Sequence, residues 1–155
     1  MGTSTDAIYF YGLIWDQEDF EPWAESLYKD RASELWWDIL DRQLGIRDQP
    51  YNERLAGRAA LGVEIVEHCH SDVMMYGVGI IKSIVTASRG SPEPIKVMDL
   101  RLVPPTWNQQ ILNFCSLMQI DVSTSLSTRR ARHAREPKDA YEFHFGWWLC
   151  SYWSP

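Results

Sequence analysis

Residues 63–82 read VEIVEHCHSDVMMYGVGIIK, and their pattern is the clearest indication of the architecture. Two runs of apolar and β-branched residues, Val63 to His70 and Val73 to Lys82, flank the turn-forming pair Ser71-Asp72. Such an arrangement predicts two antiparallel strands joined as a hairpin. An antiparallel sheet is therefore the expected centre of the molecule.

Two glycines, Gly77 and Gly79, fall on one face of the second strand. Missing side chains at these positions admit close approach by a backbone, an aromatic ring or a ligand, and packing of a tryptophan is the interpretation we favour. A third strand is expected from Ile84 to Ser88, where Arg89-Gly90 closes it.

The segment before the hairpin predicts one more strand and two helical regions. Ile8 to Trp15 is apolar on both faces, which indicates a central strand. Pro22 to Leu44 is expected to form one long helix or two short ones, with Pro22 at the first helical position and Gly45 as the C-terminal cap. A short helix capped by Asn52 is expected to reach Leu61.

The segment after the hairpin contains the clearest helix signal of the chain. Val97 to Val103 indicates a strand, which Pro104-Pro105 ends, and Thr106 with Gln109 matches a capping box. An apolar stripe at helical spacing follows, formed by Trp107, Ile111, Phe114, Cys115 and Met118. This stripe predicts a helix that packs on the sheet.

The C-terminal third contains a charged stretch and then an aromatic strand. Residues 123–139 are rich in Ser, Thr and Arg without periodicity, and we expect a mobile Arg-rich excursion. The alternate residues Phe143, Phe145, Trp147, Leu149 and Trp153 predict one face of a last strand. The whole chain, 1–155, is expected to be a single α+β domain, with a mainly antiparallel sheet of five or six strands and two or three helices packed on it.

Composition indicates a folded cytoplasmic protein with a large aromatic content. The 155 residues include eight tryptophans and three cysteines, and no run of eighteen apolar residues offers a membrane span. The N-terminus lacks the pattern of a secretory signal, and the odd number of cysteines in apolar surroundings suits buried thiols in a reducing compartment. We therefore expect a cytoplasmic protein and no membrane partner.

Charge is unevenly distributed along the chain. Residues 1–72 hold 15 acids and 6 bases, whereas residues 73–155 hold 6 acids and 9 bases. Duplex nucleic acid rewards a broad positive face, so it is not an expected partner. A protein partner is expected instead at an acidic, aromatic surface formed by Asp16, Glu18, Asp19, Glu21 and Trp23.

Catalytic motifs are weak. His68, His70 and Asp72 form the HxHxD core of a metal-dependent hydrolase motif, but Val73 stands where the motif requires another histidine. Neither a nucleophile elbow nor a glycine-rich phosphate loop is present in the sequence. We expect no enzyme activity, no metal and no cofactor, and keep a hydrolase as an alternative.

A nucleotide site is a further alternative. Arginines can grip phosphates by bidentate contacts, and aromatic rings can stack on a base. The residues that would form this site are Tyr76, Arg89, Arg129, Arg130, Arg132 and Trp147. The protein would then sequester a nucleotide signal.

Several short motifs resemble those of small accessory proteins found in bacteria and their phages. They are Tyr11-Gly12, His68-Cys69, Met75-Tyr76, Arg89-Gly90 with Pro92, and Leu149 with Ser151-Tyr152-Trp153. The resemblance implies a genetic setting and no particular activity. In that setting we expect a stoichiometric inhibitor of a host defence component, with a toxin-neutralising immunity protein as another alternative.

Overall fold

The α+β class expected from the sequence is confirmed. The computed structural model describes residues 5–28, 36–70, 73–88, 91, 93–94, 100–126 and 145–151. Within them, strands β1 to β5 span Thr5–Asp16, Val63–His70, Val73–Ile80, Val85–Ser88 and Gly146–Ser151. Helices α1 to α4 span Gln17–Tyr28, Trp36–Gln43, Tyr51–Ala60 and Thr106–Met118, and short 3₁₀ turns cover Ile81–Ser83 and Val122–Thr124.

Strand β1 is the centre of the sheet, as its two apolar faces predicted. All strand pairs are antiparallel, and β1 pairs with β3, β4 and β5, whereas β2 pairs with β3. At Gly12, β1 pairs with both β3 and β5, and at Tyr9 with both β4 and β5. Because a strand has only two edges, β3 and β4 must follow each other along one edge of β1, with β5 on the other.

A 3₁₀ turn interrupts this shared edge between β3 and β4. Ile81–Ser83 leave the ladder, and the hydroxyl of Ser83 takes the place of a strand partner. Its Oγ accepts a hydrogen bond of 2.9 Å from the backbone N–H of Tyr11 and donates one of 2.7 Å to the carbonyl of Ile80. A buried N–H that would otherwise lack an acceptor is satisfied in this way.

The helices cover one face of the sheet. That face of β1 presents Tyr11, Leu13 and Trp15, which belong to the main core. Helix α4 buries Ile111, Phe114, Cys115 and Met118 against it, so the predicted apolar stripe is confirmed. Burial of such side chains is the main favourable contribution to folding.

The opposite face of the sheet has its own buried residues. Phe10, Ile14, Val66 and His68 are buried there, although the main core does not include them. The outer strands β2 and β5 approach each other, so the sheet curls around this face. The gap predicted at the two glycines is filled by an aromatic ring, which is that of Phe10 rather than a tryptophan: a Cβ on Gly79 would lie 2.7 Å from its ring.

Helix ends were predicted less well than helix centres. Gly45 is confirmed as the C-terminal cap of α2, since its φ is +67° and the N–H of Ile46 bonds to the carbonyl of Asp41 at 2.9 Å. The prediction for Pro22 was wrong, because α1 begins at Gln17 and contains Pro22 in its interior. Asn52 is likewise the second residue of α3, whose cap position holds Pro50.

Two further predictions near α4 were wrong. Thr106 is the first residue of α4 rather than its cap, and the cap residue Pro105 makes no side-chain hydrogen bond, so the capping box does not form. Leu100 and Arg101 are helical, which contradicts a strand from Val97 to Val103. Pro104 and Pro105 fix the backbone there and favour a turn before the helix.

No helix in the described part of the chain is both long enough and apolar enough to cross a membrane. Of the predicted Arg-rich excursion, residues 123–126 are described, and Ser125 is buried. The remainder of that segment, the Ser71-Asp72 turn and Arg89-Gly90 lie outside the described residues.

Candidate binding site

The acidic residues predicted to meet a partner surround the junction of β1 and α1. Asp16 ends β1, and α1 starts at once with Gln17, so the acids of its first two turns lie close together. Glu18 is exposed, whereas Asp19 and Glu21 are half-buried, and Glu21 accepts a hydrogen bond from the side chain of Gln17. Negative charge at the start of a helix also stabilises the helix itself, through the helix dipole.

Aromatic side chains fill the space beneath these acids. The ring of Phe20 stacks on that of Tyr76, with centroids 4.6 Å apart and planes 9° apart. The centroid of the Phe20 ring also lies 5.7 Å from that of Trp15 and 4.8 Å from that of Trp23. The indole of Trp23 donates a hydrogen bond of 2.7 Å to the carbonyl of Met118, so α1 is fixed to the end of α4.

A cleft of about 290 Å³ opens between α1 and the residues that follow α4. We call it the acidic cleft, and it is formed chiefly by Trp15, Asp19, Phe20, Trp23, Asp121 and Thr124. Two of the predicted partner residues, Asp19 and Trp23, line it, whereas Asp16, Glu18 and Glu21 do not. No Lys, Arg or His is found among its described lining residues.

Asp121 was not singled out from the sequence. Asp121 lies two residues after Gln119. The φ of Gln119 is +57°, and this left-handed conformation ends α4 and turns the chain back. One oxygen of the Asp121 carboxylate accepts a hydrogen bond of 2.9 Å from the N–H of Ser123. Its backbone carbonyl and Thr124 Oγ1 both accept from the indole of Trp15, at 3.4 and 3.1 Å. These bonds hold Asp121 beside the aromatic rings.

The predicted nucleotide-binding aromatics lie in two separate clusters. Trp147 stacks on Tyr9 with centroids 5.1 Å apart, and its indole donates to the carbonyl of Leu100 at 2.9 Å. Tyr76 pairs across the sheet with Trp15, whereas Trp147 pairs with Tyr11. Trp15 and Tyr11 are four residues apart on β1, which corresponds to about 13 Å along a strand.

The arginines of that prediction are not described. Arg89, Arg129, Arg130 and Arg132 lie outside the described residues, so the nucleotide site stays a prediction. The same holds for the hydrolase motif, of which His68 is buried in β2 and Asp72 lies outside. The described residues contain no group of three or more His, Cys, Asp or Glu side chains that could hold a metal ion.

The cysteines with described side chains lack the character of nucleophiles. Burial raises the pKa of the Cys115 thiol to about 12, and burial also raises the pKa of Cys150. A thiol in such surroundings stays protonated near neutral pH and is a poor nucleophile.

The acidic cleft has the chemistry of a cation site. Its two carboxylates can each accept hydrogen bonds from a guanidinium or ammonium group, and the half-buried indole of Trp23 can attract a cation through its face. No protein-family model, curated protein or solved structure was found to match this chain.

Proposed function

We propose that the protein is a non-enzymatic, stoichiometric binding protein that holds a basic side chain of a protein partner in the acidic cleft. The observation that carries this proposal is the juxtaposition of Asp19 and Asp121 with the half-buried ring of Trp23 in a cleft of about 290 Å³. Arginine combines a bidentate cation with a flat surface, so it fits carboxylates and indoles together.

Charge at longer range supports the same partner. Helix α1 carries four acids and no base in the sequence QEDFEPWAESLY, and the whole chain has a formal net charge of −6. Such a surface accelerates association with a basic partner and disfavours acidic ones. Asp16, Glu18 and Glu21 would then act mainly on the association rate, whereas Asp19 and Asp121 would act on dissociation.

The resemblance to bacterial and phage accessory proteins suggests which partner this is. We propose a defence component of a bacterial host, with the protein encoded by a phage or mobile element and acting in the host cytoplasm. An immunity protein would use the same acidic surface on a toxin, and a nucleotide sponge would use the arginines instead.

The test compares a double variant of the cleft with a control variant that loses one carboxylate elsewhere. Tagged wild-type protein, the double variant Asp19→Asn/Asp121→Asn and the control Asp48→Asn are used to capture partners from host lysate, and bound proteins and heat-released small molecules are identified by mass spectrometry. Asp48 is exposed in the loop before α3, so its loss leaves the cleft intact.

We expect wild type and Asp48→Asn to retain a stoichiometric protein partner. The double variant should bind this partner with an affinity at least about tenfold lower, because charged hydrogen bonds are lost. Charge reversal at Asp16, Glu18 and Glu21 should slow association in the same assay. Equal retention by all variants would refute the cleft as the site. A released nucleotide without a protein would favour the sponge.

A further inference from the structure

A second cavity, which shares no lining residue with the acidic cleft, lies between α2, α3 and the start of β2. We call it the indole groove; its volume is about 420 Å³, a size typical of ligand sites. Its walls are mainly apolar, and its main residues are Trp36, Trp37, Leu40, Arg58, Glu64 and Ile65. None of these residues belongs to the surface proposed above for the protein partner.

Two consecutive tryptophans form one corner of the groove. The rings of Trp36 and Trp37 lie 4.5 Å apart between centroids, with their planes inclined by 53°. Both are half-buried, so each still has surface to offer an occupant. The face of an indole carries negative potential, so an indole that lines a groove can receive an organic cation on its face.

Arg58, the cation among the described residues that line the groove, is already neutralised. Arg58 donates to both oxygens of Asp41, from Nε at 2.6 Å and from Nη2 at 2.5 Å, and Arg54 adds a bond of 2.9 Å. The side chain of Asp41 is fully buried, so this bidentate pair holds the Arg58 guanidinium in place. The charge of Arg58 is therefore neutralised by Asp41, and the pair joins α3 to α2.

The unmatched charge in the groove is that of Glu64. Its carboxyl group has no ion pair or hydrogen bond with the described residues, and burial raises its pKa without an opposing contribution from Arg58. A half-buried carboxylate without a partner costs folding free energy. Such a cost is recovered when an occupant supplies a cation.

We propose that the indole groove binds an organic ammonium group on an aliphatic stem. Trp36 and Trp37 would receive the cation on their ring faces, and Glu64 would supply the opposite charge. Leu55 and Ile81, which also line the groove and are not buried, would contact the stem. Two sources carry this group: a free amine of the choline type, and a lysine or methylated lysine side chain of a protein.

The test measures amine binding to the full chain by calorimetry, with choline chloride as the probe and sodium chloride at equal ionic strength as the reference. The neutral isostere 3,3-dimethylbutan-1-ol has the shape of choline without its charge. Peptides containing lysine or trimethyllysine form a second arm, which distinguishes a protein side chain from a free amine as the natural source.

Matched variants locate the site. Glu64→Gln keeps the shape of the side chain and should weaken choline binding about tenfold, the effect of losing one charged interaction. Glu67→Gln removes an exposed acid from the same strand, outside the groove, and should bind as wild type does. Ala59→Phe should fill the groove and abolish binding, whereas Ala60→Phe, one residue further along α3, should not.

Choline binding that exceeds binding of the neutral isostere and depends on Glu64 would support the proposal, as would the same dependence for a trimethyllysine peptide. Equal binding of choline and its isostere, or equal loss in Glu64→Gln and Glu67→Gln, would overturn it. The variant Asp19→Asn/Asp121→Asn should bind choline normally, so failure of the proposed partner site and failure of this site are distinguishable.

Discussion

At the scale of single residues, Asp41 has the most demanding environment among the described acids. Its side chain is completely buried and receives hydrogen bonds from Arg58 and Arg54 on the next helix. The hydrogen bond from Arg58, followed by that from Arg54, holds the pKa of this carboxyl below its ordinary value. These ion pairs between Asp41 and the two arginines therefore hold α2 and α3 together.

Replacing Asp41 by Asn should destabilise the protein by about 3 kcal/mol, since two half-buried cations lose their buried counter-charge. Denaturant unfolding of Asp41→Asn measures this, with Asp48→Asn as the exposed control. Because the folded pKa is lowered, the contribution of Asp41 is present above its ordinary pKa and is lost as the pH falls through the lowered value. A loss no larger than that of the control would contradict this account.

The glycines of β3 provide a second prediction. A Cβ on Gly79 would lie 2.7 Å from Cδ2 of Phe10, and a Cβ on Gly77 would overlap the same ring. Gly79→Ala should therefore cost about 1–3 kcal/mol, the usual effect of overpacking a core.

Gly57→Ala is the matched control, because the new Cβ would meet only the end of the flexible side chain of Ile46, and alanine favours a helix. It should be neutral or stabilising in the same thermal unfolding experiment. In the double variant Gly79→Ala/Phe10→Leu, the loss should be smaller than the sum of the single losses. Strict additivity would show that the Phe10 ring is not the obstacle.

At the scale of elements, α4 was the best predicted part of the molecule. The spacing of its apolar residues follows from helix geometry alone, and Cys115 is on the buried side of that stripe. Its pKa of about 12 predicts that iodoacetamide at pH 8 will not alkylate this thiol until the protein unfolds. Peptide mass spectrometry with and without denaturant measures the reaction, and rapid alkylation of the folded protein would contradict the placement of the stripe.

Element centres were more predictable than element ends, for a physical reason. The hairpin of β2 and β3 and the central strand β1 follow from runs of apolar and β-branched residues, which many side chains specify together. A helix end depends on the dihedral angles of one or two residues. Pro22, Asn52 and Thr106 all have suitable chemistry for a helix start, but they lie at the sixth, second and first positions of their helices.

The candidate sites were only partly predictable. Asp19 and Trp23 were identified by their charge and aromatic character in one continuous segment. Asp121 could not be, because it meets them only through the packing of α4 on α1. The indole groove combines residues of α2, α3 and β2, so no local pattern in the sequence could indicate it.

At the scale of the whole molecule, Glu64 influences stability as a function of pH. Its folded pKa is raised above the ordinary value of 4.5 by burial. The folded state therefore binds protons more tightly, and the free energy of unfolding decreases as the pH rises from that value through the raised pKa. Above the raised pKa the cost remains.

Glu64→Gln should remove this cost, so its melting temperature should exceed that of wild type at neutral pH and approach it at about pH 4. Thermal unfolding across this range measures the difference, with Glu67→Gln as the control on the same strand. The variant would be more stable and yet bind choline less well. A variant that is less stable than wild type at neutral pH would show that Glu64 has a stabilising partner.

Because Ser83 accepts a hydrogen bond from β1 through its hydroxyl, two backbone amides of β1 should differ in their rates of hydrogen exchange. Tyr11 is buried in the central strand, but its N–H bonds to a side chain that can rotate away without separating two strands. Leu13, two residues along the same edge, pairs with Val78 in the ladder and needs the strands to part. In deuterated water, the amide of Tyr11 should therefore exchange well before that of Leu13, although the two residues are almost equally enclosed.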